Sequence, residues 1–363
     1  MSFMNVSRYQ FSFGSVRSCG ATILLNGIFF ALLYSQGLAG TETGVIRPVV
    51  SLMAASARDQ DDLCVWSHPS DLSKSRVIVS DKSANRILVY DLKGTLLQEL
   101  DADKPGNIDI RHNVMIGNRK RTLVAVTIRT GGHRLQVYEV DSATGSLSRV
   151  DSGISTVPNY GGCLYHSRRT GKIYFFTTSE ESVIGQYELR ANDEGKISGT
   201  LVREWSIGKC EGAVADDSAG IVYIGEEARG VWKVGAEPDD PTSGKLVVEV
   251  GQHGIAGDIE GVSIFPTSDE QGYLIVSDQG ESRFHVLERQ GGNSYLTSFS
   301  VEGARETDGI DAVSGNFGGQ FSEGIFGCHT DGDRCAMLLT SWKSIGDVIQ
   351  AARQAQSADS SAN

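Results

Sequence analysis

Val89-Tyr90-Asp91-Leu92-Lys93-Gly94 is the stretch that decides the fold, because its pattern returns four more times along the chain. Each copy has two residues that are mostly apolar or aromatic, then a polar residue, and it ends near a turn. The later copies begin at Val137, Gln186, Val231 and Val286. The second residues of the five copies stand at positions 90, 138, 187, 232 and 287, which gives spacings of 48, 49, 45 and 55. The chain therefore contains an internal repeat.

Another β-rich run precedes most copies of this pattern, and a third run follows most of them. The preceding runs are Arg76–Ser80, Leu123–Ile128, Lys172–Thr178, Ile221–Gly225 and Tyr273–Ser277. The following runs are Leu96–Leu100, Leu147–Val150, Leu201–Trp205, Leu246–Val250 and Leu296–Val301. Each unit thus holds about four short strands in roughly 50 residues, which is typical of a β-propeller blade.

The repeat predicts an all-β, six-bladed β-propeller over residues 40–342. The 43 glycines against seven prolines agree with many tight turns. The last blade would use Gly324–Cys328 and Ala336–Thr340, with Val45–Leu52 closing the ring. Two β-sandwich domains are the alternative, but no segment resembles an interdomain linker. In residues 343–363 we expect a short helix followed by a disordered tail from Gln354 onward.

Residues 1–39 have the features of a secretory signal peptide. Arg8 and Arg17 precede the apolar run Ala21–Tyr34, and Gly37-Leu38-Ala39 offers the small residues that a signal peptidase recognises. A membrane anchor is the alternative, although the run is shorter than the ~20 residues that span a bilayer. Cleavage after Ala39 would leave 324 of the 363 residues and predicts a secreted or periplasmic protein.

The charge balance excludes two classes of partner. The chain has 33 basic and 45 acidic residues, a net charge of −12, and two of the basic residues fall in the signal, so the mature chain has 31 against 45, or −14. Nucleic acids and anionic membranes are bound by basic surfaces. We therefore expect no nucleic-acid partner and no membrane once the signal is removed. Separately, we expect a monomer that acts on a small molecule.

Export would place the cysteines in an oxidising compartment. Five would remain after cleavage: Cys64, Cys163, Cys210, Cys328 and Cys335. Because five is odd, at least one thiol stays unpaired or pairs outside the chain. Cys328 and Cys335 are close enough in sequence to close a small disulfide loop, and the sequence leaves open whether they do.

Acidic residues collect where strands are expected to begin or end. The segments are Asp61-Asp62, Glu211-Gly212, Glu226-Glu227, Asp258–Gly261 and Glu306–Asp311. In a propeller, matching positions of successive blades project from one end towards the central channel. Several carboxylates there would repel one another unless cations lay between them, and such hard oxygen ligands suit Ca²⁺. Taken singly, each carboxylate is more often a solvated turn residue.

Three basic residues accompany these carboxylates. Lys82 and Arg129 fall at matching strand ends in the first two blades, and Arg111 follows Asn107–Ile110. Basic side chains beside an acidic, cation-filled mouth suit an anion with several charges, such as a phosphate ester. The alternative for each is an ordinary surface charge.

These segments resemble those of the β-propeller (alkaline) phytases. Asp59–Trp66 looks like the D-A-A-D-D-P-A-I-W motif of that family, and Lys104–Arg111 is similar to its N-N-V-D-I-R segment. Further segments match in order: Leu164–Ser167, Glu211-Gly212, Tyr223–Glu227, Asp258–Gly261, Glu288–Gly291 and Thr307–Asp311. The resemblance runs from about Pro48 to Trp342.

The resemblance implies a six-bladed propeller that hydrolyses phytate, inositol hexakisphosphate, with several Ca²⁺ ions between protein and substrate. By matching position the calcium ligands would be Asp61, Asp62, Glu211, Glu227, Glu260 and Asp311, with Gln279 and Asp308 as further ligands. Tyr160 would help to place a phosphate and a calcium. Lys82 and Arg129 would bind phosphate oxygens, and Arg111 is a further candidate for substrate binding.

In the mechanism that this implies, Ca²⁺ lowers the pKa of a water, which then attacks phosphorus. Asp62 or Glu211 would orient that water, while Lys82 and Arg129 would stabilise the charge that develops on the phosphate oxygens. Together with Tyr160 these are the predicted catalytic residues. The sequence departs from the family at auxiliary positions, such as Ser83 and Glu180, which stand where lysines are common.

Other functions remain possible on the sequence. Cys328–Arg334 fits the C-x5-R loop of cysteine phosphatases, but Asp331 and Asp333 within it would repel phosphate. A non-catalytic calcium-stabilised propeller, or degenerate phytase, is the main alternative. A calcium-dependent lactonase is another, but a lactonase has no need of basic side chains that bind phosphate.

Overall fold

The structure, a computed structural model, describes residues 44–332 and 335–361. The predicted signal peptide, residues 1–39, lies outside the described residues. Within them, 26 β-strands form six separate sheets, and one long α-helix follows the last strand. The sheets are the six blades of a β-propeller, as the repeat predicted.

The first five blades each hold four strands in chain order. The first two blades contain β3 (Gln60–Trp66), β4 (Arg76–Asp81), β5 (Arg86–Asp91), β6 (Leu96–Asp101), β7 (Pro105–Ile116), β8 (Arg119–Ile128), β9 (Arg134–Val140) and β10 (Leu147–Arg149), with β11 (Ile154–Ser155) beside β9. The third and fourth contain β12 (Gly161–His166), β13 (Ile173–Thr178), β14 (Val183–Ala191), β15 (Ile197–Ser206), β16 (Cys210–Asp216), β17 (Ile221–Glu226), β18 (Gly230–Gly235) and β19 (Lys245–Glu249). The fifth contains β20 (Ile259–Pro266), β21 (Gly272–Asp278), β22 (Arg283–Glu288) and β23 (Tyr295–Val301).

The sixth blade is completed by the beginning of the described chain. Its own strands are β24 (Ile310–Ser314), β25 (Gly324–Thr330) and β26 (Ala336–Ser341). Strand β2 (Val50–Leu52) pairs antiparallel with β26 as the fourth strand, while β1 (Gly44–Ile46) pairs parallel with β23 of the fifth blade. The segment predicted to close the ring therefore does so, and it reaches two neighbouring blades.

The hydrophobic core lies between neighbouring blades. Successive side chains of a strand point to opposite faces of the sheet. In β4, Val77 and Val79 pack with Leu52 and Leu339 towards the sixth blade, whereas Ile78 packs with Ile108 towards the second. Because both faces of each blade are covered, its central strands are continuous apolar runs rather than alternating ones.

The helix at the end of the chain is longer than the sequence predicted. Helix α1 runs from Trp342 to Ser361, so the tail expected to be disordered from Gln354 onward is helical over most of its length. Ala and Gln are good helix formers. Gln356 Nε2 also donates to the carbonyl of Leu296 at 3.1 Å, and Arg353 pairs with Glu288 at 2.6 Å, so the fifth blade supports this part of the helix.

The cysteines of the described chain are all free thiols. Cys328 is fully buried in the core between the fifth and sixth blades, while Cys335 Sγ donates to Asp331 Oδ1 at 3.1 Å. The Cys328–Cys335 disulfide that the sequence left open is therefore not formed, because Cys328 packs into the core. None of the helices described here has both the length and the apolar character needed to cross a bilayer.

Candidate functional site

The innermost strands of four blades carry an irregularity at the same end of the channel. In β3, β7, β16 and β20 the pairing register skips two residues near the start of the strand. The skipped pairs are Asp61-Asp62, Gly106-Asn107, Glu211-Gly212 and Glu260-Gly261. Such bulges redirect side chains that a regular ladder would hold, and here they bring four acidic residues to the channel.

Close packing between neighbouring blades requires the glycines that follow Glu211 and Glu260. A Cβ at Gly212 would lie 1.9 Å from the carbonyl oxygen of Glu260, and one at Gly261 would lie 2.5 Å from that of Asp308. The amide of Gly261 donates to the same Asp308 carbonyl at 3.2 Å. The recurring acid-glycine pairs of the sequence therefore let neighbouring blades approach closely enough for their carboxylates to meet.

Five carboxylates meet at this end of the channel. We call Asp61, Glu211, Glu227, Glu260 and Asp308 the acidic mouth. They form two groups that share Glu211. One group is Asp61, Glu211 and Asp308, and the other is Glu211, Glu227 and Glu260. In each group, one carboxylate oxygen of every residue lies within 4.8 Å of those of the other two. All five are buried, with Asp61 only 1% and Glu211 only 2% exposed.

Two basic side chains reach into the acidic mouth. Arg129, just after β8, donates from Nη2 to Asp61 Oδ2 at 3.1 Å and to Glu211 Oε1 at 2.9 Å. Lys82, just after β4, places Nζ 2.9 Å from Asp61 Oδ1 and 3.9 Å from Asp308 Oδ2. Even with Lys209, which pairs with Glu227 at 3.0 Å, three cations stand among five carboxylates, which leaves excess negative charge in a buried place.

Tyr160 lies beside the same group. Arg129 Nε donates to the carbonyl of Tyr160 at 3.0 Å, and the guanidinium carbon lies 4.3 Å from the centre of the Tyr160 ring. Lys209 approaches the same ring, with Nζ 5.4 Å from its centre, and forms an ion pair with Glu227 at 3.0 Å. The sequence analysis missed Lys209; its place directly before Cys210-Glu211 was the available signal.

The carboxyl pKa values show how the charges are shared. Burial and the nearby charge of Glu211 raise the pKa of Glu260 to about 12. Burial also raises the pKa of Asp308 well above its usual range, and the charges of Glu211 and Asp61 add to that. Asp61 differs: burial would raise its pKa, but Arg129 and Lys82 outweigh burial and lower it. The acidic mouth alone therefore cannot keep all its carboxylates ionised.

The acidic mouth fits a divalent cation. Glu227 Oε1 and Glu260 Oε2 are buried and accept no hydrogen bond from any described residue. Buried polar atoms without partners are costly and rare. Carboxylate oxygens gathered in this number are the ligands that Ca²⁺ prefers, so a bound cation would satisfy the two atoms and the excess charge together.

Asp62 and Asp311 lie further along the channel than the acidic mouth. Asp62 accepts backbone N–H groups from Ile108 of the next blade at 3.0 Å and from Leu63 at 2.8 Å. Asp311 accepts them from Val65 of the next blade at 2.9 Å and from Ala312 at 2.8 Å. Both carboxylates thus connect the inner strands of adjacent blades, and the structure does not group them with Glu211 as the sequence analysis expected.

Arg111 lies at the other end of the channel. It donates to Asp109 at 2.9 Å, to Asp217 at 2.9 Å and to the carbonyl of Ala215 at 3.1 Å. This network borders a cavity of about 370 Å³ that contains none of the acidic-mouth residues. The predicted substrate-binding residue is therefore separated from Lys82 and Arg129, and it links the second blade to the fourth.

Gln279 lines a cavity of about 450 Å³ that opens beside the acidic mouth. We call this the side cavity; it is lined by Arg58, Asp59, Lys82, Ser83, Gln279, Glu306, Asp308, His329, Asp331 and Cys335. Gln279 thus lies in the same cavity as Asp308 of the acidic mouth, so it could contact an ion or substrate bound there. His329 is a residue here to which the sequence analysis gave no role, since nothing in its local pattern points to the channel.

Comparisons with known proteins agree with the fold and show the family. The family model described as Phytase matches residues 35–347. A 3-phytase of Bacillus subtilis (strain 168) is 34% identical over 281 residues, covering 73% of this chain and 73% of that protein.

Among solved structures, a calcium-binding protein, regucalcin, from Agrobacterium tumefaciens strain C58 matches with a TM-score of 0.51 and 12% identity. The match covers 82% of this chain and 97% of that one, and at this identity it supports the fold alone. The family match spans most of the chain, and the 3-phytase is similar over nearly three quarters of it. The chain therefore belongs to the phytase family.

Proposed function

We propose that the protein is a calcium-dependent phosphomonoesterase that hydrolyses phytate to lower inositol phosphates and phosphate. Membership of the phytase family supports the reaction and the substrate class. The observation that carries the calcium dependence is the group Glu211, Glu227 and Glu260, whose buried oxygens converge and in part lack partners. Arg129 and Lys82 beside them provide the cationic contacts that phosphate oxygens need.

The two carboxylate groups would hold the metal. Asp61, Glu211 and Asp308 offer one set of oxygens, and Glu227 and Glu260 complete the other. Calcium bound there supplies positive charge for phosphate oxygens and makes a water more acidic. It also explains how a protein with a net charge of −12 can attract a polyanion, because bound cations reverse the local potential.

Glu211 is the better candidate for the residue that orients the attacking water. Both oxygens of Asp62 already accept backbone N–H groups, so Asp62 has little freedom to accept from a water. Glu211 instead lies in both carboxylate groups, and its only ion pair among the described residues is with Arg129. In the metal-free protein its pKa is raised by burial, partly offset by Arg129.

Arg129 and Lys82 would stabilise the reacting phosphate. Their charges are directed to Asp61 in the described structure, so phosphate binding must share these donors between the carboxylate and the substrate. Tyr160 covers one face of Arg129 and restricts the direction of its guanidinium. Positioned charge of this kind is the main contribution a protein makes to phosphoryl transfer.

Two alternatives stay less well supported. A non-catalytic propeller has no need of Arg129, Lys82 and Tyr160 beside the acidic mouth. A calcium-dependent lactonase has no need of the basic side chains of Arg129 and Lys82. We also propose export to a periplasmic or extracellular location, from the predicted signal in residues 1–39.

The test is phosphate release from phytate by the full mature chain, with added Ca²⁺ and with excess EGTA. Release should require Ca²⁺ and return when Ca²⁺ is restored. Glu227→Gln should lose most of the activity, whereas the matched change Glu249→Gln, at an exposed strand end, should not. Full activity in excess EGTA would contradict the proposal.

A further inference from the structure

Lys209 is a cation beside the acidic mouth to which the proposed mechanism gives no role. It stands in the segment that joins the third blade to the fourth, directly before β16. Its Nζ lies 3.0 Å from Glu227 Oε2 and 3.5 Å from Glu180 Oε1. The Lys209 side chain is 45% exposed, against 11% for that of Arg129. Lys209 therefore contacts a carboxylate of the acidic mouth and also faces the solvent from which a substrate arrives.

The main chain holds Lys209 in this place from two sides. The amide of Glu227 donates to the Lys209 carbonyl at 3.1 Å, and the amide of Cys210 donates to the carbonyl of Ser179 at 3.0 Å. Because Glu180 follows Ser179, the turn between β13 and β14 brings its carboxylate to Lys209. The contact between Glu180 and Lys209 therefore follows from backbone pairing between two blades, and not only from two flexible side chains.

Lys209 and Arg129 approach the same aromatic ring. The guanidinium carbon of Arg129 lies 4.3 Å from the centre of the Tyr160 ring, and Lys209 Nζ lies 5.4 Å from it. Arg129 pairs with Glu211, whereas Lys209 pairs with Glu227. A phosphate that contacts Arg129 thus has the Lys209 ammonium nearby, where a neighbouring substituent of the same substrate could reach it.

Neither carboxylate holds Lys209 firmly. Glu227 also belongs to the group with Glu211 and Glu260, and its Oε1 has no partner among the described residues. A cation bound by that group would draw on the charge of Glu227 and weaken its attraction for Lys209. Glu180 is 56% exposed, and exposed ion pairs contribute little. The ammonium has three donors and can therefore exchange a carboxylate for a phosphate oxygen.

We propose that Lys209 binds an oxygen of a phosphate group next to the reacting one, and that Glu180 limits this contact by competing for the same ammonium. The pair then sets how strongly the enzyme prefers esters with neighbouring phosphates over simple monophosphates. Lys209 is a substrate-positioning residue in this role, since the reacting phosphate itself is assigned to Arg129 and Lys82. The inference rests on the proposed phosphomonoesterase activity.

The experiment is a double-mutant cycle of Lys209→Gln, Glu180→Gln and the variant with both changes, at saturating Ca²⁺. Calorimetry measures the binding of myo-inositol hexasulfate, a polyanion that cannot release phosphate, and kinetics are measured on phytate and on phenyl phosphate. Lys209→Gln should weaken hexasulfate binding and raise KM for phytate about 3- to 10-fold, the range of a partly exposed charge-assisted contact. Its kcat/KM on phenyl phosphate, which has no second phosphate, should change less than about twofold.

Glu180→Gln should tighten hexasulfate binding about 2- to 5-fold when Lys209 is present, because it removes a competing exposed ion pair. In the Lys209→Gln background the same change should have almost no effect. Glu181→Gln removes the same charge from the next residue, which is exposed and forms no ion pair among the described residues, and is the control for Glu180. Lys196→Gln, at an exposed position between β14 and β15, is the control for Lys209.

An equal gain from Glu180→Gln in both backgrounds, or from Glu181→Gln, would reduce the effect to net charge and overturn the inference. Equal losses of kcat on phytate and phenyl phosphate in Lys209→Gln would show that Lys209 serves only to hold Glu227. If Lys209→Gln does not fold, Glu180→Gln alone decides, since unchanged hexasulfate binding in that variant rejects the competition. Absence of phosphate release by wild type from either substrate would instead reject the proposed function.

Discussion

Arg129 Nη2 lies 2.9 Å from Glu211 Oε1, so a side chain of the second blade ends against a carboxylate of the fourth. The same nitrogen also reaches Asp61 of the first blade at 3.1 Å. One guanidinium therefore connects three blades at the point where the carboxylates converge. The Arg129 guanidinium therefore both connects the blades and lies where it could contact a phosphate oxygen.

Arg129→Lys should lose function although it keeps the charge. A lysine ammonium cannot reproduce the forked donors that reach Glu211 and the Tyr160 carbonyl together. We expect kcat/KM on phytate to fall about 10- to 100-fold, corresponding to roughly 1.5–3 kcal/mol for charge-assisted contacts. Steady-state kinetics measure this, with Arg119→Lys on the exposed side of blade two as the control. Unchanged kinetics in Arg129→Lys would remove the guanidinium from the site.

Calcium should stabilise the protein against heat, because a ligand that binds only the folded state shifts unfolding by mass action. At 100 times the dissociation constant the stabilisation is about 2.7 kcal/mol for each site. Calorimetry with Ca²⁺ and with EGTA measures the shift in Tm. An identical Tm in both conditions would show that the acidic mouth does not hold the ion.

Glu260→Gln and Asp61→Asn should differ in their effect on the metal-free protein. The pKa of Glu260 is raised to about 12, so at pH 7 without metal this carboxyl is protonated and a glutamine resembles it closely. The pKa of Asp61 is lowered, so it is ionised, and asparagine would remove the one carboxylate that both Arg129 and Lys82 contact. In EGTA we expect Glu260→Gln to keep the wild-type Tm and Asp61→Asn to lower it.

With Ca²⁺ added, both variants should show a smaller rise in Tm than wild type, since each has lost a carboxylate oxygen from a metal group. Thermal unfolding of the three proteins in both buffers gives the comparison. If Glu260→Gln destabilises the metal-free protein as strongly as Asp61→Asn does, then Glu260 is ionised there and the account of the shared charges is wrong.

Lys82→Ala and Glu260→Ala should fail in different kinetic parameters. Glu260 belongs to a carboxylate group that would hold metal at the reacting phosphate, so its loss should lower kcat mainly. Lys82 lies between the acidic mouth and the side cavity, and its loss should mainly raise KM for phytate, the mark of lost uniform binding. Michaelis curves on phytate and on phenyl phosphate separate the two effects. Wild-type behaviour of both variants on phytate would refute the site assignment.

The sequence predicts the fold well because the repeat recurs at a nearly constant interval. Tyr90 and Tyr138 lie at the same place in successive blades, in β5 and β9. The acid-glycine pairs likewise predicted the acidic mouth, because Gly212 and Gly261 are required by the close approach of neighbouring blades. The repeat and the acid-glycine pairs are both local and periodic, so they can be recognised in the sequence without knowledge of tertiary contacts.

The parts of the site that the sequence did not predict depend on contacts between distant segments. Arg111 and Arg129 both follow an isoleucine in a β-rich run. Arg111, however, lies after the first bulge of inner strand β7 and borders the cavity at the end of the channel away from the acidic mouth. Asp311 follows Asp308 by three residues and is used to connect blades instead. His329 lines the side cavity because the start of β24 and the end of β25 run together, with the His329 amide bound to the carbonyl of Gly309.

The stability of the propeller should decrease in mild acid through His112. This ring is half-buried beside Arg111 and accepts a backbone N–H from Ser67 at 3.0 Å, and its removal from water together with the charge of Arg111 lowers its pKa to about 4. The unfolded chain binds a proton near the ordinary value of about 6.5, so between these two values it holds more protons than the folded chain. Stability from this group is therefore complete above about pH 6.5 and is lost as the pH falls towards 4.

Urea unfolding of wild type and His112→Gln at pH 7 and pH 5, in EGTA, measures this contribution. The variant should be less stable than wild type at pH 7, because the Ser67 contact is weakened, but it should lose less stability than wild type between pH 7 and pH 5. Titration of the His112 ring by NMR gives an independent value for its pKa. A ring that titrates near 6.5, or equal losses of stability in both proteins, would show that His112 is not held neutral by its contacts with Ser67 and Arg111.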